Sequence, residues 1–290
     1  MLNCSLETVL NVQNRLGEGV IWDSSQQCFW WTDILTNKMF RWAFNGKPQV
    51  FDTPHRLCSF GLTPVANKFI AAFDFGFAFF EPLTGKIENV CEVESSLHNN
   101  RLNDGRVDRQ GRFWAGSMRQ SESGELGSLY CLANGQAIKR LDGIEISNGL
   151  CWSQNGRQIY HADSPTRTIK VADYNAENGQ ISHWRKFVKT DKGAYPDGAC
   201  IDNEDHLWSA QWGSHKIKRY TPLGEKVFEF ELPCKQPTCI AFGGPDLQHI
   251  IVTSAWDGLE NEPGNTSDQG SVFVLKTNVK GIVESICTQN

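Results

Sequence analysis

Gly19-Val20-Ile21-Trp22, Cys28-Phe29-Trp30-Trp31-Thr32-Asp33 and Lys38-Met39-Phe40-Arg41-Trp42 are the stretch on which the fold is decided. A glycine opens a short apolar run, and a polar turn follows. The second run is dense in aromatic residues, and a third completes the unit. Runs of this length, bounded by turn formers and rich in aromatic and β-branched side chains, are strand signals. The unit returns from Gly61, with Lys68-Phe69-Ile70-Ala71-Ala72 and Gly76-Phe77-Ala78-Phe79-Phe80. It returns from Gly105, with Gly111-Arg112-Phe113-Trp114-Ala115-Gly116 and Gly127-Ser128-Leu129-Tyr130. A fourth copy opens at Gly149, with Arg157-Gln158-Ile159-Tyr160-His161-Ala162 and Thr168-Ile169-Lys170-Val171-Ala172. The fifth opens at Gly198, with His206-Leu207-Trp208-Ser209-Ala210 and Lys216-Ile217-Lys218-Arg219-Tyr220. The sixth lacks the glycine and opens near Cys239, with His249-Ile250-Ile251-Val252-Thr253 and Gly270-Ser271-Val272-Phe273-Val274.

Successive anchors lie 41 to 49 residues apart. That period, with several short strands per copy, is a propeller signature, whereas helical solenoids of similar period carry helical patterning. Asn45-Gly46, Thr84-Gly85, Asn134-Gly135, Asn155-Gly156 and Asn178-Gly179 supply hairpin turns between the runs. A large β-sandwich or barrel would share the strands but does not call for the period. The expectation is an all-β, six-bladed β-propeller forming a single domain over residues 1–290.

Composition is consistent with this. Of 290 residues 40% are hydrophobic, with 10 Trp and 17 Phe, enough for an extensive core. The net charge of -5 argues against a nucleic-acid or anionic-membrane partner. The nearest approach to a basic cluster, Lys216, Lys218 and Arg219, is expected to be solvated. The segment from Met1 to Leu10 lacks the basic and apolar regions of a signal peptide, and no apolar stretch is long enough to span a bilayer. A cytoplasmic location is therefore expected, and the Asn3 and Asn265 sequons are incidental. The ten cysteines contain no Cys-x-x-Cys pair. They are expected to be buried free thiols rather than disulfides or zinc ligands.

In a propeller the first strand of each blade lines the central channel, so a sequence period becomes a cluster in space. The residues just before the six anchors are Glu18, Phe60, Asp104, Asn148, Asp197 and Thr238. Taken singly, Asp-Gly and Asn-Gly pairs are ordinary turns. Their recurrence in register, together with Glu18, a poor turn former, points to the axis instead. Several acids sharing a buried channel repel one another and are poorly solvated. A divalent cation compensates them, and oxygen donors suit Ca²⁺, Mg²⁺, Mn²⁺ or Fe²⁺, with Zn²⁺ also open.

Leu16-Gly17-Glu18-Gly19, Asn100-Arg101-Leu102-Asn103-Asp104-Gly105, Ser147-Asn148-Gly149-Leu150 and Tyr195-Pro196-Asp197-Gly198, with Phe242-Gly243-Gly244-Pro245-Asp246, occur in an order that resembles the gluconolactonase family, which includes regucalcin and luciferin-regenerating enzyme. The likeness covers nearly the whole chain. It implies a six-bladed propeller that hydrolyses aldonolactones with one divalent cation. It further implies Glu18, Asn148 and Asp197 as metal ligands and Arg101 and Asn103 as substrate contacts. The register argument selects Asp104 in the third blade, and the family pattern selects Asn103. Adjacent strand residues face opposite ways, so Asn103 is expected to point inward and Asp104 to be a turn or supporting residue.

These assignments suggest a mechanism. Asp197 would act as general base on water, the cation would polarise the lactone carbonyl, and Arg101 and Asn103 would bind substrate hydroxyls. A pentono- or hexonolactone, such as glucono-, xylono-, arabinono- or galactonolactone, is the expected substrate. The pocket wall is expected to include the loop from Arg119 to Gly127. Two other functions share the architecture: a non-catalytic calcium-binding propeller, and a metal-dependent esterase or phosphotriesterase with an apolar pocket. No Gly-x-Ser-x-Gly elbow or Walker A motif is present, and Gly17-Glu18-Gly19 lacks the third glycine of a dinucleotide fingerprint. The seven His show no metal-binding spacing and are expected to be surface or hydrogen-bonded structural residues. Trp22, Trp30, Trp31, Trp114, Trp152, Trp208 and Trp212 are expected to pack between blades, with Trp212 and Trp256 also placed to reach a sugar pocket. A propeller closed on itself needs no partner, so a monomer or weak homo-oligomer is expected.

Overall fold

The structure, a computed structural model, describes residues 2–260 and 268–288. The Asn265 sequon lies outside them. Six four-stranded antiparallel sheets account for the strands of the described residues. Blade 1 is β2 (Gly17–Asp23), β3 (Cys28–Asp33), β4 (Lys38–Trp42) and β5 (Gln49–Asp52). Blade 2 is β6 (Leu57–Leu62), β7 (Phe69–Phe73), β8 (Gly76–Glu81) and β9 (Lys86–Glu92). Blade 3 is β10 (Asn100–Val107), β11 (Phe113–Arg119), β12 (Gly127–Ala133) and β13 (Gln136–Ile144). Blade 4 is β14 (Ser147–Trp152), β15 (Gln158–Asp163), β16 (Thr168–Tyr174) and β17 (Ile181–Lys189). Blade 5 is β18 (Tyr195–Ile201), β19 (Leu207–Trp212), β20 (Lys216–Tyr220) and β21 (Lys226–Glu231). Blade 6 combines β22 (Pro237–Gly243), β23 (His249–Ser254) and β24 (Val272–Thr277) with β1 (Cys4–Leu10).

The protein is thus an all-β, six-bladed propeller, as the repeat predicted. The inner strands touch neighbour to neighbour from β2 through β6, β10, β14, β18 and β22, and back to β2. The ring is closed by strand hydrogen bonds between the two ends of the sequence. β1 lies before the first copy, and it pairs with β24, Cys4 opposite Thr277 and Leu10 opposite Val272. No helix among the described residues is long and apolar enough to cross a membrane.

The core is divided among six seams, one between each pair of adjacent blades. Ile21 and Trp30 of blade 1 pack with Phe60 and Phe69 of blade 2, and Trp22 and Phe29 pack with Cys239 and Ala241 of blade 6. Trp114 of blade 3 meets Trp152 of blade 4 at 5.9 Å between ring centroids. Large aromatic residues suit these wedge-shaped gaps, and each such side chain contributes roughly 1.5–3 kcal/mol on burial. Trp22, Trp30, Trp31, Trp114, Trp152 and Trp208 are fully buried here. None of the ten cysteines forms a disulfide, and eight are buried.

The hairpin expectation holds: Gly46, Gly85, Gly135, Gly156 and Gly179 all have φ between 66° and 72°. The expectation for Lys218 and Arg219 does not. Both are buried on β20, because acids on facing segments compensate them: Lys218 pairs with Asp191, and Arg219 with Asp202 and Glu204.

Beyond β24 the chain runs across the blades. Gly281 bridges to Asp202 and Ile286 to Leu62. Glu284 accepts from Nε of Arg106 at 2.8 Å, near the C-terminal ends of the inner strands. This segment caps the end of the channel opposite the acidic residues described next.

Candidate active site

Inner strands depart from regular pairing where the anchors lie. The register shifts between Glu18 and Ile21 in β2, Leu102 and Gly105 in β10, Asn148 and Cys151 in β14, and Pro196 and Ala199 in β18. β22 shifts between Pro237 and Ile240, around its Cys239 anchor, whereas β6 shifts between Leu57 and Ser59, before the Gly61 anchor, which pairs regularly with Ile70. A bulge re-aims a side chain and suspends strict alternation. Gly19 and Gly149 follow Glu18 and Asn148 with φ of 61° and 62°, a left-handed geometry that glycine adopts without strain. Gly198 has another role: a Cβ there would lie 2.7 Å from Cα and Sγ of Cys239 on the neighbouring inner strand.

The bulges deliver Glu18, Arg101, Asn103, Asn148 and Asp197 to one cavity of about 450 Å³. Each is at most 8% exposed. All five residues singled out from the sequence therefore meet at a common floor, contributed by blades 1, 3, 4 and 5.

Asn103 is the hub of this floor. Its Nδ2 donates to the Ser147 carbonyl and to Asn148 Oδ1, both at 3.0 Å. Its Oδ1 accepts from Arg101 Nη1 at 2.7 Å. Both amide protons are thereby engaged, so Asn103 chiefly orients its neighbours. The same Arg101 nitrogen also donates to the Leu102 carbonyl at 2.9 Å.

Ser164 is a second link, absent from the sequence reading. Asn148 Nδ2 donates to Ser164 Oγ at 2.9 Å, and Ser164 Oγ donates to the Pro196 carbonyl at 2.7 Å, one residue before Asp197. The orientation of Asn148 is thus tied to the strand that carries Asp197.

Asp104 corrects the expected geometry. It is not a turn residue, since it lies within β10 inside the bulge that suspends alternation. It is half-buried, and its Oδ2 accepts the Leu150 N–H at 2.8 Å, clamping β10 to β14. Its charge still acts on the floor. Burial, then repulsion from Asp104, holds the Glu18 carboxyl well above its ordinary range, against the Gly19 N–H and Arg101. Burial, then repulsion from Glu18 and Asp104, does the same to Asp197.

Asp197 Oδ1 is buried and has no hydrogen-bond partner. An anionic oxygen left unpaired in a buried site is costly. A hard divalent cation fits: Glu18 and Asp197 supply carboxylate oxygens, and Asn148 Oδ1 is already oriented by Asn103. Among the described residues no group of three or more His, Cys, Asp or Glu is placed to hold a metal. The candidate set has two carboxylates and one amide oxygen, a sparse shell that leaves positions for water or substrate.

Above the floor the lining includes Leu16, Leu35, Ile146, Pro165, Tyr195 and Trp212. Trp212 is therefore a wall residue rather than one packed between blades. Trp256 sits outside the cavity, its indole N–H donating to the Gln13 carbonyl at 3.0 Å. Of the region from Arg119 to Gly127 it is Gln120, beside Met118, that lines the site. Tyr195 stood in a quoted motif without a role, and the other wall residues carried no signal that motif reading could use.

The family model for the SMP-30/Gluconolactonase/LRE-like region matches residues 16–256. The chain is 32% identical to regucalcin of Gallus gallus over 97% of this chain and 98% of that one. It is 31% identical to 6-deoxy-6-sulfogluconolactonase of Pseudomonas putida over 98% and 99%. A solved structure of a calcium-binding protein, regucalcin, from Agrobacterium tumefaciens superposes with a TM-score of 0.91 at 30% identity, over 97% of both chains. This chain belongs to the SMP-30/gluconolactonase/LRE-like family.

Proposed function

We propose that this protein is a lactone hydrolase that opens small aldono-1,4- or 1,5-lactones to the hydroxy acid, with a divalent cation held by Glu18, Asn148 and Asp197. The observation that carries this reading is the partnerless, buried Asp197 Oδ1 facing a cavity that also holds Glu18, Arg101 and the Asn103–Asn148 pair. When bound, the cation would polarise the lactone carbonyl and offset the charge that develops on its oxygen.

The chain's own residues supply the proton chemistry. Asp197 takes a proton from the attacking water, whose oxygen forms the new bond to the carbonyl carbon. With one carboxylate oxygen toward the cation, the other is left to take that proton. When the ring C–O bond breaks, the proton returns to the departing alkoxide, and the product is a hydroxy acid. Arg101, fixed through Nη1, orients the substrate oxygens. Names of relatives support this reading, the sulfogluconolactonase of Pseudomonas putida above all.

A second reading, a cation-binding propeller without turnover, rests on the same carboxylate pair, because a cation relieves its repulsion whether or not chemistry follows. The Agrobacterium tumefaciens relative is described as calcium-binding. The two readings part in one experiment. Protein stripped of metal and reloaded with Ca²⁺, Mn²⁺, Mg²⁺, Fe²⁺ or Zn²⁺ is assayed with a pH indicator against a panel of aldonolactones, beside enzyme-free controls. Cation-dependent ring opening that is lost in Asp197→Asn with the fold intact supports the hydrolase. Cation binding without acceleration of any lactone or ester supports the second reading.

A further inference from the structure

The walls above the floor are built twice from one device. In blade 1, the Asp33 carboxylate at the end of β3 accepts the N–H groups of Arg15 at 2.8 Å and Leu16 at 2.9 Å, and the Ile34 N–H returns to the Leu16 carbonyl at 3.0 Å. In blade 4, the Asp163 carboxylate at the end of β15 accepts those of Ile146 at 3.0 Å and Glu145 at 3.4 Å, and the Ser164 N–H returns to the Ile146 carbonyl at 3.1 Å. Asp33 and Asp163 have nearly the same backbone angles, φ -109 and ψ 100 against φ -108 and ψ 101. Each leads into a single 3₁₀ turn, Ile34–Thr36 or Ser164–Thr166, ended by a left-handed residue, Asn37 or Arg167.

In a ring of six, the first and fourth blades stand opposite each other. The repeated device therefore sets Leu16 and Leu35 on one side of the cavity and Ile146 and Pro165 on the other. Tyr195 and Trp212 of blade 5 add an aromatic wall between them. Two polar lining residues outside the floor are already engaged by arginines: Gln120 Oε1 accepts from Arg56 at 2.7 Å, and Asp257 from Arg15 at 2.7 Å. A ligand hydroxyl at Gln120 Oε1 or Asp257 Oδ1 would compete with an existing pair. An alkyl group would instead cover carbon surface with nothing to displace but water.

We infer that the lactone taken by this site carries an apolar substituent on the ring carbon next to the ring oxygen, as in a 4-alkyl-γ-lactone or 5-alkyl-δ-lactone, with the alkyl group between the Leu16/Leu35 and Ile146/Pro165 jaws. This rests on the hydrolase reading above and departs from its aldonolactones at one position, the substituent beside the ring oxygen, which these walls favour as alkyl rather than hydroxyalkyl. Water adds its oxygen to the carbonyl carbon, the ring C–O bond breaks, and one proton passes to the alkoxide, giving a 4- or 5-hydroxyalkanoate with no other reactant.

The test uses the full chain loaded with cation. It compares γ-lactones whose 4-alkyl chain grows from none to butyl with glucono-1,5-lactone, and measures the affinity of the matching 4-hydroxyalkanoates by calorimetry. The expected result is a rise in kcat/KM and in product affinity of roughly two- to fourfold per methylene. Leu35→Ser and Trp212→Ser, checked for folding by thermal unfolding, should each flatten that slope. Turnover of gluconolactone with no gain along the alkyl series overturns the inference and leaves the hydrolase reading standing. Product affinity that climbs with chain length while no lactone is opened overturns the hydrolase reading and supports the ligand class. An alkyl series flat in both readouts overturns the inference outright.

Discussion

Asn103 Nδ2 lies 3.0 Å from Asn148 Oδ1, a bond that joins blade 3 to blade 4 across the floor of the cavity. It fixes which way the Asn148 amide faces. Without it, the Asn148 amide would be held by Ser164 Oγ alone. Replacing Asn103 by Leu removes that control and leaves Arg101 Nη1 with the Leu102 carbonyl as its oxygen acceptor. Groups that orient metal-binding side chains typically change affinity by about 10- to 100-fold. Asn103→Leu should weaken cation binding by that amount in a calorimetric titration, with an unfolding midpoint close to that of the parent. Unchanged affinity would mean that Asn148 is oriented by Ser164 alone.

A second prediction concerns the carboxylates in the metal-free protein. Burial raises both Glu18 and Asp197 above their unfolded values, with repulsion from Asp104 on each and from Glu18 on Asp197. Groups raised in this way stabilise the fold only while protonated, below the ordinary carboxylate range, and the advantage is lost as pH rises through the raised values. Metal-free protein should therefore lose stability as pH climbs from about 4 toward neutrality. Glu18→Gln should reduce that loss and raise the metal-free unfolding midpoint by a few degrees. Added cation should stabilise the parent, since it binds only the folded state, and stabilise the variant far less. Thermal scans with and without chelator decide the matter.

The two predictions draw on parts of the site that differed in how far the sequence disclosed them. Glu18, Asn148 and Asp197 could be read because a period in the sequence becomes a ring in space, and glycines marked the register. Asn103 and Asp104 could not be resolved by alternation, since the bulge between Leu102 and Gly105 suspends the rule on which alternation depends. Ser164 was out of reach of that argument because it comes from the far end of a second strand, not from an inner strand. A signal for it did exist. Thr32-Asp33-Ile34-Leu35-Thr36 and Ala162-Asp163-Ser164-Pro165-Thr166 occupy equivalent places three blades apart, and comparing those copies would have exposed the wall device. β1 escaped for a different reason: its pairing with β24 joins opposite ends of the chain, and no local pattern encodes it. The burial of Lys218 and Arg219 likewise depends on Asp191, Asp202 and Glu204, partners on other segments.

A third prediction follows from His161. Its Nε2 is 2.9 Å from Oγ of Ser147, the residue before Asn148, and His161 is 2% exposed. Burial, then repulsion from Lys170, pushes this imidazole down from 6.5 to about 3. The unfolded chain therefore binds a proton that the folded protein refuses, and stability falls as pH drops below 6.5 toward 3. The slope contributed approaches about 1.4 kcal/mol per pH unit. His161→Gln keeps a hydrogen-bonding group without the proton. The stability difference between parent and variant, from urea unfolding at several pH values, should shift in favour of the variant only on the acid side. A difference independent of pH would show that His161 is protonated equally in both states.

The last prediction concerns the opposite end of the channel. Arg106 is largely buried, and its guanidinium is held by Glu284 at 2.8 Å and by the Ala199 carbonyl. Glu284 stands in the segment that crosses the blades after β24, so this pair fastens the chain's end to an inner strand of blade 3. Removing one partner of a buried pair leaves the other charge uncompensated, which costs more than the pair itself contributes. Glu284→Ala should lower unfolding free energy by roughly 2–4 kcal/mol, while Arg106→Met with Glu284→Ala should recover much of the loss. Because the pair lies beyond the Asp104 clamp, and away from Glu18 and Asp197, cation affinity measured below the unfolding transition should be unaffected. Loss of affinity in Glu284→Ala would show instead that the crossing segment sets the spacing of the inner strands at the floor.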